Sequence, residues 1–204
     1  MTLFHLVKRM WILILSSWIL MACLANPVSV SEDTGQPVPI GMAIEDMMVT
    51  GEDMRELKPE FPWRSGIPSE VDWDWANPVE TLSRFFQQER SGAFLRQEVV
   101  RLVSERAAES VWNRMQHAAI TRGLRYDVVR LLPEDGKPVI HADKVLYRCE
   151  DYRGIKLDAC IVRLQYGPIY TEIAATMTDR GFSADEFYKA IEVVDRKMRL
   201  LQRP

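Results

Sequence analysis

Beyond the first few residues, two imidazoles carry most of the neutral-pH acid–base capacity of this chain. His117 and His141 are its only histidines after His5, and a hydrolase would need one of them to activate a nucleophile or a water. His117 follows Gln116 in a stretch of helical periodicity and reads as a half-exposed structural histidine. His141 and Asp143 are two apart, so on a strand they would share one face and supply half of a metal or acid–base site. No third ligand is visible, so no metal is assigned. Carboxylate pairs such as Asp72 with Asp74, or Glu150 with Asp158, have the chemistry for glycan hydrolysis, but in a chain with 29 acids such pairs arise by chance. Met42, Met47, Met48 and Met54 offer soft thioether ligands suited to Cu(I). They lack a nearby histidine or a repeated spacing and read as a short amphipathic contact segment. There is no phosphate-binding glycine loop, no CxxC and no histidine-rich cluster. No catalytic residue and no cofactor follow, and the chain reads as a non-enzyme.

The aromatic residues suggest binding instead. Trp63, Trp73 and Trp75 lie among prolines and acids in "FPWRSGIPSEVDWDWANP". The period-two spacing of Trp73 and Trp75 would set both indoles on one side of an extended segment. Tryptophan combines a large apolar area with one polar handle. These three are the candidate partner-binding residues; the plainer alternative is that they pack the arm onto its own domain.

Lys8 and Arg9 precede an apolar run from Met10 to Ala22, closed by Asn26-Pro27. A basic stretch, an apolar stretch and small residues make a secretory signal. The run is shorter than the roughly 20 apolar residues a spanning helix needs. Its end, Leu20-Met21-Ala22-Cys23, resembles the lipobox of bacterial lipoproteins. That resemblance implies a signal peptide over 1–22, diacylation of Cys23 on sulfur and a membrane-held N-terminus. At about 0.8 kcal/mol per buried CH₂, several acyl chains anchor stably. Leu24 after the cysteine, in place of aspartate, resembles cargo for the outer membrane. Ordinary cleavage into the periplasm and an uncleaved inner-membrane anchor are the alternatives.

Export makes the remaining cysteines informative. With Cys23 used for lipid, Cys149 and Cys160 are left as a disulfide pair. The hairpin around "YRGIK" tests this. If Gly154-Ile155 forms a two-residue turn with glycine first, paired residue numbers sum to 309. Cys149 then faces Cys160, Val145 faces Leu164 and Tyr147 faces Val162.

Residues 26–80 hold 12 acids against 3 bases, and 81–204 hold 17 acids against 21 bases. The acidic, Pro- and Gly-containing part reads as a tether and arm over 23–76, ahead of an α+β domain over 77–204. Asn77-Pro78-Val79-Glu80 looks like a capping box opening a helix to about Arg90. Leu95, Val99, Val103, Ala107, Val111, Met115 and Ala119, spaced by four, suggest a long helix from Ala93 to Arg122 that must bend or split near Ser104 to Arg106. "LRYDVVRLL" has the pattern of a strand or a short helix and reads first as a strand. "VIHADKVLYRCED", "LDACIVRLQYG" and "IYTEIAATM" continue as an antiparallel meander. Ser183-Ala184-Asp185-Glu186 caps a terminal helix buried through Phe187, Ile191, Val194, Met198 and Leu201.

Mixed charges along the helices and a body surplus of only four bases argue against nucleic acid. The expectation is a non-catalytic envelope lipoprotein that binds another protein, such as a subunit of a secretion, conjugation or pilus apparatus, or a periplasmic immunity protein. The alternative is a periplasmic enzyme acting on cell wall or lipid.

Overall fold

A computed structural model of the chain describes residues 43–59, 63–66, 69, 73–88, 91–121, 128–152 and 157–201. Six strands form one antiparallel sheet: β1 (Trp63–Ser65), β2 (Glu80–Gln88), β3 (Phe94–Arg101), β4 (Lys144–Tyr152), β5 (Leu157–Tyr166) and β6 (Ile169–Thr176), in the order β1-β2-β3-β6-β5-β4. The helices are α1 (Gly51–Leu57), α2 (Glu105–Thr121), the short α3 (Val128–Leu131) and α4 (Ala184–Leu201). The expected α+β class, the bridged hairpin and the terminal helix are all present. Strand β6 lies inside the sheet with every residue buried, which fits its Ile, Tyr and Thr content and cover on both faces.

Because directly opposed residues share a face, the register divides the sheet cleanly. One face carries Leu95, Val99, Ile173, Ala175, Cys160, Val162 and Leu164, all fully buried, with Phe187, Ile191, Val194 and Met198 of α4 in the same core. The other carries Val100 and Tyr170 beside Arg96, Glu98, Glu172 and Arg163; the buried Ala108, Val111 and Trp112 of α2 pack there.

The hairpin register follows the sequence expectation. Cys149 opposes Cys160, Val145 opposes Leu164 and Tyr147 opposes Val162. Cys149 and Cys160 form a disulfide with Cα atoms 4.0 Å apart. The proposed turn residues Gly154 and Ile155 lie outside the described residues. The terminal capping box is also present: Ser183 N–H donates to Glu186 Oε2 at 2.7 Å, and Glu186 N–H to Ser183 Oγ at 3.3 Å.

Two expected helices are strands where they begin. Residues 80–88 form β2, and the supposed long helix opens as β3 before α2 starts at Glu105. A spacing of four is even, so Leu82 with Phe86, or Leu95 with Val99, share one side of a strand as well as one side of a helix. Pairing of β2 with β3, and of β3 with β6, decided for the strand. The split anticipated near Ser104 is real: Ser104 Oγ accepts from Ala107 N–H at 3.2 Å as an N-cap. "LRYDVVRLL" corrects the other way. Its described part, Val128–Leu131, is a helical turn, with Leu132 N–H bonded to Val128 O at 2.7 Å.

Composition put Ile44 to Leu57 in the tether, yet this segment belongs to the core. Ile44, Met47, Met48, Val49 and Met54 are buried. Gln97, itself fully buried, receives Val49 N–H on Oε1 at 2.7 Å and donates Nε2 to Met47 O at 3.1 Å. Arg84 donates to Val49 O at 2.8 Å and Lys197 to Met48 O at 2.8 Å. Thr50 caps α1 through a capping box with Asp53. Two ion pairs then tie this segment to α4: Asp53 with Lys197 at 2.7 Å and Lys58 with Glu186 at 3.0 Å. The three described methionines thus spend their thioethers on packing; Met42 lies outside the described residues.

Candidate functional site

The three tryptophans part ways. Trp63 packs against Phe182 with ring centroids 5.4 Å apart and joins the core beneath α4. Trp73 is 5% exposed, lies 5.4 Å from the ring of Tyr170, and donates its indole N–H to Glu98. Trp75 is 43% exposed. It rests on Trp73, centroid to centroid 5.2 Å, and the guanidinium of Arg114 sits 4.4 Å from its ring centre. The two rings touch across a short 3₁₀ turn at Asp74–Ala76 rather than along an extended segment. Two of the three residues therefore pack on their own domain, as the plainer sequence reading held. Trp75 is the exposed one of the three, in contact with Trp73 and with the Arg114 guanidinium placed over its ring.

Val79 and Val103 are 60% and 50% exposed, and the hydrogen bond from Val79 N–H to Arg101 O at 2.8 Å holds their two segments together at one end of β2 and β3.

Beneath this platform runs a buried charge network. Glu98 and Glu172 are directly opposed on β3 and β6, a like-charge placement that costs stability unless countered. Arg96 bridges them, 3.3 Å from Glu98 and 3.1 Å from Glu172, and Arg163 Nε donates to Glu172 Oε2 at 2.8 Å. Arg163 also donates to Met115 O at 3.2 Å, tying the network to α2. Burial, reinforced by the charge of Glu172, pushes the Glu98 carboxyl up despite Arg96 and the indole N–H. Burial next to Glu172 also raises the Tyr170 hydroxyl well above its usual range.

His141 does not work with Asp143. Asp143 Oδ2 accepts from Gly167 N–H at 2.6 Å and fixes the β5–β6 turn, where Gly167 takes φ 53°. His141 pairs instead with Asp195 of α4. Its Nδ1 lies 3.0 Å from Asp195 Oδ2 and its backbone N–H donates to Oδ1 at 2.8 Å. Tyr166 O–H donates to the same Oδ1 at 2.8 Å, and Arg199 stands 3.4 Å from Oδ2. Asp195 is 3% exposed while the His141 side chain is 48% exposed. Burial and the Asp195 carboxylate raise the Tyr166 hydroxyl far above its ordinary value, so it stays a donor. Tyr147, beside Tyr188 and under the ammonium of Lys137, is pushed up to about 12, chiefly by burial.

Sequence reasoning missed Asp195, Tyr166, Glu172 and Arg163. Asp195 had a visible signal: it stands next to Val194 and four after Ile191, an acid on the edge of the apolar stripe of α4. The other expected groups do not assemble. Glu150 and Asp158 lie on opposite faces of the sheet, since Glu150 opposes Ala159. Cys149 is committed to its disulfide. The side chains of His117 and Asp74, together with Asp72 and Cys23, lie outside the described residues. Among the described residues no three His, Cys, Asp or Glu side chains gather to hold a metal ion, and no helix is long and apolar enough to cross a membrane.

No protein-family model and no curated protein matches the chain. Among solved structures, the extracellular domain of PknH from Mycobacterium tuberculosis is similar in fold, with TM-score 0.53 and 10% identity, over 80% of this chain and 98% of that one.

Proposed function

We propose that the chain is a non-catalytic cell-envelope lipoprotein, held in the outer membrane through acylated Cys23 and acting by binding another protein. The observation that carries the reading is the Trp75 platform. Tryptophan and arginine are the side chains most enriched among residues that dominate interfaces, and here both are held ready with little left to order on binding. The disulfide supports an oxidising compartment, and the fold likeness to a domain described as extracellular agrees with it. A subunit of a secretion, conjugation or pilus apparatus, or a periplasmic immunity protein, fits these requirements.

A second reading, an envelope enzyme acting on cell wall or lipid, is favoured by one arrangement. Half-exposed His141, oriented by buried Asp195 with Tyr166 behind it, has the geometry of a base that could activate water.

One set of variants separates the two. Trp75→Ala should abolish recovery of the specific partner from envelope preparations with the melting temperature unchanged, while Cys23→Ser should move the protein from the membrane to the soluble fraction. Partner recovery that survives Trp75→Ala refutes the platform. Retained recovery with loss of cellular function in His141→Ala establishes the enzyme instead.

A further inference from the structure

Several arginines of the strands are met by carboxylates. Arg101 stands 3.2 Å from Glu80, Arg148 2.6 Å from Glu150 and Arg163 2.8 Å from Glu172. Arg114 of α2 differs. Its guanidinium lies 4.4 Å from the ring centre of Trp75, and it has no hydrogen bond or ion pair among the described residues. A guanidinium is planar and carries several N–H donors, so one that rests on an aromatic ring still offers its edge as a fork to a planar acceptor. Trp75 rests in turn on Trp73, which is 5% exposed and 5.4 Å from the ring of Tyr170. The cation is thus seated on a chain of rings rooted in the core, and it loses less freedom on pairing than a loose arginine would.

The helix supplies a second fork on the same side. At about 100° per residue, Arg106, Ser110, Asn113 and Arg114 fall within one arc of α2 about 100° wide, and all four are exposed. Arg106 likewise has no hydrogen bond or ion pair among the described residues. The acids of α2 are committed: Glu105 lies in the first turn, where the helix dipole favours it, and Glu109 takes Lys144 at 3.0 Å. Every side chain on the arc can donate a hydrogen bond, and its two charged members stand about 12 Å apart along the axis. Carboxylates four residues apart on an extended chain are separated by about 13 Å on one side of it. A strand-like acidic segment laid along α2 therefore reaches both arginines. The whole chain carries a formal charge of −3, so this face is a local feature and not part of a general attraction for polyanions.

We infer that the partner engaged at Trp75 presents an extended acidic segment, which lies along the exposed face of α2 with one carboxylate on Arg114 and another on Arg106. The inference rests on the partner-binding reading above and names the chemistry of that partner.

The test uses the mature protein in neutral detergent and hexaglutamate blocked at both ends, with blocked hexaglutamine as the control. The indole N–H resonance of Trp75, identified by its loss in Trp75→Phe, should shift saturably with hexaglutamate at millimolar concentration and stay in place with hexaglutamine. By calorimetry, Arg114→Gln should weaken hexaglutamate about tenfold and Arg106→Gln about threefold, with the melting temperature of the free protein little changed. Arg114→Lys keeps the charge but lacks the fork, and should recover only part of the loss. No shift with hexaglutamate, an equal shift with hexaglutamine, or an affinity untouched by Arg114→Gln overturns the inference. A shift of the same size with inorganic phosphate overturns it too, by assigning the fork to phosphate groups. Recovery of the specific partner tells this failure from failure of the reading beneath it. Recovery lost in Trp75→Ala but intact in Arg114→Gln combined with Arg106→Gln removes the acidic contact alone, whereas recovery that survives Trp75→Ala removes the platform and the inference with it.

Discussion

On the face covered by α1 and α4 the sheet presents Leu95, Val99, Ile173 and Val162, whereas on the face under α2 the same strands present Arg96, Glu98, Glu172 and Arg163. The first face closes mainly through apolar contact; its Gln97 and Thr171 are hydrogen-bonded, and Tyr166 bonds to the buried Asp195 of α4. The second seats α2 through Ala108, Val111 and Trp112 in a smaller apolar cluster with Val100 and Tyr170, adds a charge network tied to Met115 O, and leaves Trp75 outside. Apolar packing and charge pairing are thus assigned to opposite sides of one sheet. Apolar burial is non-directional and gains roughly 25 cal/mol per Å², while buried ion pairs seldom gain much net stability but fix side-chain positions.

The comparison breaks first on its apolar side. Phe187→Ala removes a fully buried ring from the centre of the α4 contact and should cost about 3–5 kcal/mol in urea unfolding. A loss below 1 kcal/mol would show that α4 does not carry the core. On the charged side, Arg163→Met strips Glu172 of its closest cation and should cost about 2 kcal/mol, since Arg96 remains. Adding Glu172→Leu should recover most of that loss. A double variant as unstable as the single would mean the network stabilises in its own right.

The smallest effect gives the sharpest contrast. Glu98 titrates above its unfolded value, so its contribution is fully present below the unfolded pKa and is lost as pH rises through the folded one. Glu98→Gln should therefore raise the melting temperature at pH 7 by a modest amount, and the gain should disappear in acid. A gain that persists in acid would trace to packing and not to charge. At the start of α4 the sign reverses. Burial works to raise Glu186, but Ser183 and Lys58 outweigh it and hold the carboxyl below its usual value. That contribution is lost as pH falls.

Much of the fold was legible because some signals admit a single reading. The 149–160 register satisfied turn chemistry, cysteine chemistry and apolar pairing at once, and the Ser183 box fixed the start of α4. Leu82, Phe86, Leu95 and Val99 were ambiguous by arithmetic, since a spacing of four satisfies both periods, and only the partner strand resolves it. The methionine segment was misplaced because acids such as Glu45, Asp46 and Glu52 dominate its composition while its few apolar side chains do the packing. For the site, residue type pointed to His141 but adjacency pointed to the wrong partner. Asp195 is 54 positions away, and no spacing rule reaches that far.

The attachment of the segment before α1 has a mechanical meaning. Met47 to Val49 is gripped by Arg84 from β2, Gln97 from β3 and Lys197 from α4. A pull arriving along the preceding chain meets these three bonds together before it reaches any strand end. The load spreads into the interior of the sheet instead of concentrating at the margin, where strands separate one bond at a time. The segment is thereby fastened as a shear joint to β2, β3 and α4 at once.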